Sequence, residues 1–195
     1  MTLETPRAAS RQATARRICD RAQELADARG LDGFTLEELA GAAEVSRRTL
    51  FNYFPSKVDA VLGPFPEVDA QSLAVFRAGG PHGDLVEDLA VLARTLLADA
   101  DVHRAGFALH RRLLRSNPRL LAAAHERFEV ICQRMVEQIF VRESPQFDAP
   151  RARIAVRLLV AVTDTALDRF LDEAVEQPLA DLFTDSLRTA RELFG

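Results

Sequence analysis

The sequence predicts an all-α fold of about nine helices, a small N-terminal head of three helices followed by a larger helical body. Three observations carry that expectation. Apolar residues recur at helical spacing through most of the 195 residues, and no segment alternates as a strand does. Capping residues stand where the apolar stripes begin, as at Thr35, Ser46 and Ser56. Glycine and proline fall between the stripes, at Gly30, Pro55, Gly79-Gly80-Pro81, Pro118, Pro150 and Pro178.

The first helix is expected over about Arg11 to Arg29, with Ile18, Ala22, Leu25 and Ala26 on one face and Gly30 as its stop. Thr35 opens the second, and Glu38 three residues on completes a capping box. Leu36, Leu39, Ala40 and Ala43 form its apolar stripe. Ser46 opens a third helix, Arg47 to Tyr53, which Pro55 ends because proline disfavours helix at the preceding residue. Ser56 opens a fourth at Lys57. Gly63-Pro64-Phe65-Pro66 interrupts it, and it is expected to resume near Val68. Five more are expected over about Gly83–Ala98, Asp101–Arg115, Pro118–Val141, Pro150–Glu176 and Pro178–Phe194.

A formal net charge of −4 excludes a histone-like coat for nucleic acid, but the charge is unevenly spread. Residues 1–17 set Arg7, Arg11, Arg16 and Arg17 against Glu4, and residues 44–57 set Arg47, Arg48 and Lys57 against Glu44. Residues 161–195 hold eight acids against three Arg. A head of this kind can meet a polyanion that the tail avoids. No apolar run approaches the roughly 20 residues needed to span a bilayer. Residues 1–10 lack the apolar core of a secretory signal. Cys19 and Cys132, far apart in helical patterns, read as reduced thiols. A cytoplasmic protein is expected.

The second and third helices, with a tight turn between them, form a helix-turn-helix candidate over Thr35–Phe54. Val45, Leu50 and Phe54 are placed to hold the second of the pair, leaving Arg47, Arg48, Thr49, Asn52 and Tyr53 on its other face. Arginine can bond guanine O6 and N7 together, and asparagine adenine N6 and N7. Thr49, Tyr53 and Lys57 suit phosphate oxygens, which fix register without reading sequence. Ser46 and Ser56 mark helix starts whose N–H groups favour anions.

These residues resemble a known family. TARRICDRA (14–22), GLDGFTLEEL (30–39) and above all AAEVSRRTLFNYFPSK (42–57) are similar to the N-terminal domain of the TetR family, over about residues 12–60. The resemblance implies a DNA-binding domain over residues 10–56 and a ligand-sensing, dimerising domain over 57–195. It places Arg47, Arg48 and Asn52 where relatives read bases, and Thr35, Thr49, Tyr53 and Lys57 where they hold phosphates. Arg17 and Ser46 complete the set of expected DNA contacts. Three positions depart from the pattern: Phe51 is often Tyr, Arg48 is often small, and Glu44 stands where a turn Gly is frequent.

In the body, the last two predicted helices have apolar surface on more than one side. The resemblance implies that they pair with a second copy, with Leu158, Val162, Thr165, Leu182, Phe183, Leu187 and Ala190 at the interface; the alternative is a purely intramolecular core. Residues 102–119 carry Arg104, Arg111, Arg112, Arg115 and Arg119 with no acid. They read either as an anion-attracting mouth over an apolar pocket or as a solvated basic face. The passage LLRSNPRLLAAAHERFE (113–129) resembles sensing domains that bind acyl-CoA-like ligands. His103, Phe107, His110, Arg111, Leu114, Phe128, Cys132 and Met135 are the candidate contacts to such a lipophilic effector. No histidine pair has chelating spacing and no catalytic constellation stands out, so neither a metal, a cofactor nor an enzyme is expected.

The expected function is a ligand-responsive repressor that binds a palindromic operator as a homodimer. An activator of the same fold, or a small-molecule-binding helical protein with a non-essential head, are the alternatives.

Overall fold

A computed structural model describes residues 6–64, 67–97, 104–144, 147–172 and 174–194. Ten helices lie among them: α1 (Pro6–Arg29), α2 (Leu36–Ala42), α3 (Arg47–Tyr53), α4 (Lys57–Leu62), α5 (Ala70–Arg77), α6 (Leu85–Leu97), α7 (Arg104–Ser116), α8 (Pro118–Glu143), α9 (Ala149–Phe170) and α10 (Leu179–Phe194). The count exceeds the expected nine because the interrupted fourth helix is two separate helices, α4 and α5. Gly63 is the reason on the α4 side. It closes that helix with φ 72°, and a Cβ there would lie 2.7 Å from the Cys19 sulfur. Asp69 then starts α5 afresh, its carboxylate accepting from the Ser72 N–H at 2.9 Å.

The helices gather into two compact units. The first holds α1 to α4 with α7 and the opening turns of α8. Its core is continuous through Ile18, Ala22, Leu39, Leu50, Ala60, Val61, Leu113 and Leu120, all buried. The expected stripe of α1 is the one buried. Arg112 pairs with Asp27 at 2.7 Å and Arg119 with Asp32 at 3.1 Å, fastening α7 and α8 to α1 and the turn after it.

The second unit holds α5, α6, the rest of α8, α9 and α10. Phe76, Leu89, Leu92, Val136, Ile139, Ala152 and Val156 form one part of its core. Along α9 and α10, which pack together, Val162, Ala166, Phe170, Leu179, Leu182 and Phe183 are buried. Beside this apolar core lies a buried ion pair, Asp88 to Arg142 at 2.7 Å, with side chains 0% and 3% exposed. Every arm of it is occupied. Asp88 accepts from the backbone N–H groups of His82 (2.7 Å) and Gly83 (3.2 Å), while Arg142 donates to the carbonyls of Phe76 (2.9 Å) and Gly80 (3.3 Å). The pair therefore holds the turn between α5 and α6 onto α8.

Helix α9 ends at Phe170, six residues before the expected stop at Glu176. Arg104 accounts for the ending. Its Nε donates to the Phe170 carbonyl at 2.7 Å and its Nη2 to that of Val175 at 2.6 Å, while the guanidinium lies 4.5 Å from the centre of the Phe170 ring. A continuing helix would turn those carbonyls along its own axis.

Asp88→Ala is expected to cost about 3–5 kcal/mol, because it strands a buried guanidinium. Arg157→Ala, which breaks the exposed pair Arg157–Glu129 at 3.0 Å, is expected to cost under about 1 kcal/mol. Urea unfolding of the two variants checks the contrast.

Candidate nucleic-acid interface

Helix α3 is seven residues long, far below the roughly 12–15 at which a helix holds in water by itself. Its ends and one side supply what length does not. The Ser46 hydroxyl oxygen accepts from the Thr49 N–H at 3.0 Å, which satisfies a free donor of the first turn. Leu50 is fully buried and Phe54, just past the helix, is 5% exposed. Val45 is half-buried against the same core. All three expected anchors thus lie where the sequence put them.

The neighbouring helix is fixed as firmly. Thr35 and Glu38 form the full capping box: Glu38 N–H donates to the Thr35 hydroxyl oxygen at 3.1 Å, and Thr35 N–H to the Glu38 carboxylate at 2.7 Å. Hydrogen bonding to the carboxylate by the Thr35 backbone N–H and side chain holds the Glu38 carboxyl below its ordinary pKa, with Arg29 adding to the effect. Arg17 Nε donates to the Ala43 carbonyl at 2.9 Å, so α1 ties down the end of α2. In the turn, Glu44 has φ 53°, the left-handed region that a side chain resists. The family pattern has glycine there, and the geometry shows what the glycine is for.

On this frame Arg47, Arg48, Phe51 and Asn52 stand exposed. Arg47 is held: its guanidinium pairs with Glu37 at 2.7 Å and lies 5.6 Å from the centre of the Phe51 ring. Ser46 is exposed, and its hydroxyl also bonds that of half-buried Thr49 at 2.7 Å. Tyr53 is half-buried on the core, with the Arg11 guanidinium 5.8 Å from its ring centre. Lys57 Nζ donates to the Phe34 carbonyl at 2.9 Å and lies 5.1 Å from the centre of the Phe34 ring, which leaves two of its three N–H groups for other acceptors. Spacing along the chain made the Arg47–Phe51 neighbours legible. It gave no sign of Glu37, ten residues away on another helix.

The residues expected to touch an effector are divided between the two units. Phe107, His110, Arg111 and Leu114 lie on α7 in the first unit, while Phe128, Cys132 and Met135 lie on α8 in the second. His103 lies outside the described residues. Leu114 packs on the core of the first unit. Cys132 is buried, with Phe128 and Met135 partly buried around the same core. Of the basic run, Arg112 and Arg119 pair with the carboxylates of Asp27 and Asp32, and Arg104 donates to backbone carbonyls.

Around α1 and the end of α4 lies a small polar cluster. Gln23, nearly buried, donates to the Val61 carbonyl at 3.0 Å and stands 3.2 Å from His110 Nδ1. Donation by the Gln23 amide leaves Nδ1 as the acceptor, which fixes the neutral ring with its proton on Nε2. Burial lowers the His110 pKa below 6.5 and pushes the Cys19 thiol up to about 12. Among the described residues no group of three or more His, Cys, Asp or Glu could hold a metal ion. No described helix is long and apolar enough to cross a membrane.

Of the residues expected at a dimer contact, Leu182 and Phe183 are wholly buried within their own unit, and Val162 (7%) and Leu187 (8%) nearly so. They face inward because α10 packs its apolar stripe on α9. Two others of the expected set, Leu158 and Thr165, stay outside on α9 in a stripe with Ile154 and Ala161, with Ile154 57% and Leu158 47% exposed. Leu158, Val162, Leu187 and half-buried Ala190 also line a cleft of about 650 Å³ between α6, α9 and α10. Arg191 and Glu87 bridge its rim as an ion pair.

A capped short helix with its polar face free, braced by a second helix across a tight turn, defines a helix-turn-helix head of the kind that enters a DNA groove. Residues 18–61 match the family model of bacterial regulatory proteins, tetR family. The HTH-type transcriptional regulator TcmR of Streptomyces glaucescens is 31% identical over 144 residues, covering 69% of this chain and 64% of that protein. A TetR-like transcriptional regulator from Rhodococcus sp. RHA1, known from its crystal structure, is 18% identical with a TM-score of 0.45, over 91% of this chain and 96% of that one. The head, residues 18–61, is thus that of the tetR family of bacterial regulatory proteins, and the chain spans under two thirds of the curated relative's length.

Two outcomes are expected from this geometry. Glu44→Gly relieves about 1–2 kcal/mol of left-handed strain and adds about 0.5–1 kcal/mol of backbone entropy cost. A net gain of roughly 0.5–1 kcal/mol should appear as a higher thermal midpoint. His110, kept neutral by burial, makes the fold lose stability on acidification. Its contribution is whole above about pH 6.5, where the unfolded ring is also neutral, and is lost progressively as the pH falls below that value. The thermal midpoint of His110→Gln should therefore fall less between pH 6.5 and 5 than that of the unaltered protein.

Proposed function

We propose that this protein is a sequence-specific DNA-binding transcription regulator, a repressor that reads an inverted-repeat operator as a homodimer and responds to a small molecule. The observation that carries the reading is the exposure of Arg47, Arg48 and Asn52 together on a helix fixed from behind by Leu50 and Phe54. These side chains suit guanine and adenine edges in the major groove. Thr35, Ser46, Thr49, Tyr53, Lys57 and Arg17 surround that face and supply hydroxyls and cations for the phosphates. Work of this kind belongs in the cytoplasm, where the DNA is.

A single head of this size reads too few bases for useful specificity, and two-fold pairing doubles the site. The exposed stripe Ile154–Leu158–Ala161–Thr165, continuous with the cleft that includes Ala190, supports α9 and α10 as the surface that pairs. Leu182, Phe183, Val162 and Leu187 then act from behind, setting the shape of that surface. The effector is proposed to be lipophilic. Phe128, Met135, Phe140 and Phe147 offer apolar contact, and Arg104, Arg112 and Arg119 are already engaged, which disfavours a polyanionic headgroup such as that of an acyl-CoA.

Selection of bound DNA from a random pool tests the reading. An inverted repeat with half-sites about 10 base pairs apart, or a multiple of that, is expected; a pool without enrichment overturns it. On the selected site, Arg48→Ala and Asn52→Ala should each cost about 1–3 kcal/mol and relax preference at one position per half-site. Lys57→Ala should weaken binding to every sequence alike and flatten the salt dependence.

A further inference from the structure

We propose that Glu37 is a specificity-determining residue: its carboxylate, with the Phe51 ring, holds the Arg47 guanidinium toward a base and away from the phosphate backbone. The inference rests on the DNA-binding reading above and deepens it at one side chain.

An arginine on an exposed helix has two uses on DNA. Its long stem lets it fall onto a phosphate, which adds affinity for any sequence, or its planar fork meets a guanine edge, which discriminates. Polyanion attraction favours the first unless something holds the side chain. Here two groups do. Phe51, one turn further along α3, lies under the guanidinium with its ring centre 5.6 Å away. Glu37, in the first turn of α2, receives Nη1 at 2.7 Å. The two contacts come from different helices, and those helices are themselves locked by the capping box at Thr35 and the buried Leu50. The pair is exposed, with side chains 65% and 57% accessible, so it adds little to stability. An acid on the DNA-facing side of a reader also repels phosphate, which lowers affinity for unrelated sequences. A residue that weakens general binding, adds little to the fold and fixes the direction of a neighbouring arginine is a device for discrimination. Phe51 suits it better than the tyrosine common at this position, since a ring without a hydroxyl offers Arg47 a face and gives the phosphates no donor.

The test compares the unaltered protein with Glu37→Gln, Glu37→Asp, Phe51→Leu and Arg47→Ala, using random-pool selection and affinity for one fixed non-cognate duplex at several salt concentrations. A bidentate guanine contact discriminates by about 5- to 150-fold against a wrong base. In Glu37→Gln, most of that preference is expected to vanish at the same position that Arg47→Ala erases. Its binding to the non-cognate duplex should strengthen, with the slope of log K against log salt steeper by roughly 0.9 per head as Arg47 settles on a phosphate. Glu37→Asp should keep more of the preference than Glu37→Gln, and Phe51→Leu should lose part of it. A role in folding alone would lower the thermal midpoint of Glu37→Gln and leave its consensus and salt slope as they were. That result overturns the inference while the DNA-binding reading stands. Absence of enrichment by the unaltered protein overturns both.

Discussion

A helix of seven residues does not persist in water, yet a DNA reader must present one in a single orientation. Helix α3 is therefore borrowed stability: Leu50 and Phe54 set it into a core made by other elements, and Ser46 closes its open end. Everything else in the first unit serves that requirement. The Arg17 bond to Ala43 and the capping box at Thr35 keep α2 rigid behind the turn, and Glu44 accepts a left-handed backbone so that the turn is tight enough. Truncating Leu50 would remove the one fully buried side chain of α3, a loss of the 2–5 kcal/mol class in a helix with little else to hold it.

Charge in this chain divides by what surrounds it. Asp88 and Arg142 are buried and completely bonded, so each is indispensable to the other although the pair as a whole adds little beyond an apolar substitute. Arg112–Asp27 and Arg119–Asp32 are exposed and individually weak; their value is register, since they fix which turn of α7 and α8 faces α1. Arg104 works through backbone carbonyls, those of Phe170 and Val175, at the point where a helix stops. The cations of α3 are turned outward as well, and Arg47 has the Glu37 carboxylate beside it. Net charge describes none of this, because at −4 the protein is acidic while its reading face is not.

In the head, α2 and α3 were legible in the sequence to within a residue or two because their signals are local, whereas α1 begins at Pro6, five residues before the expected Arg11. Thr35 with Glu38, Ser46 before Arg47, and Pro55 after Phe54 each act over a single turn. The body was legible in kind and not in detail. Helix α9 stops at Phe170 because of an arginine 66 residues away, and no local pattern announces that. The apolar stripe of α10 is strong in part because α9 covers Leu182 and Phe183, and periodicity cannot separate an inner neighbour from an outer partner. The acids that pair with Arg112 and Arg119, Asp27 and Asp32, sit in a distant part of the chain, so local sequence does not announce them.

The core of the first unit takes in residues well beyond the helix-turn-helix. Leu113 of α7 and Leu120 of α8 share one core with Leu50, and His110 meets Gln23 beside the last turn of α4. Close-packed interiors transmit displacement and do not absorb it. A shift of α7 by a fraction of a turn must repack the surface on which α3 rests, whereas a shift of an exposed loop need not. The effector response proposed above then needs no separate lever. It needs only a ligand that binds one arrangement of α7 better than another, and the change in DNA affinity can be no larger than that difference. The same logic makes Gln23 informative: its amide bonds α4 and α7 at once, so its loss would loosen α7 from α4 while leaving the face of α3 untouched.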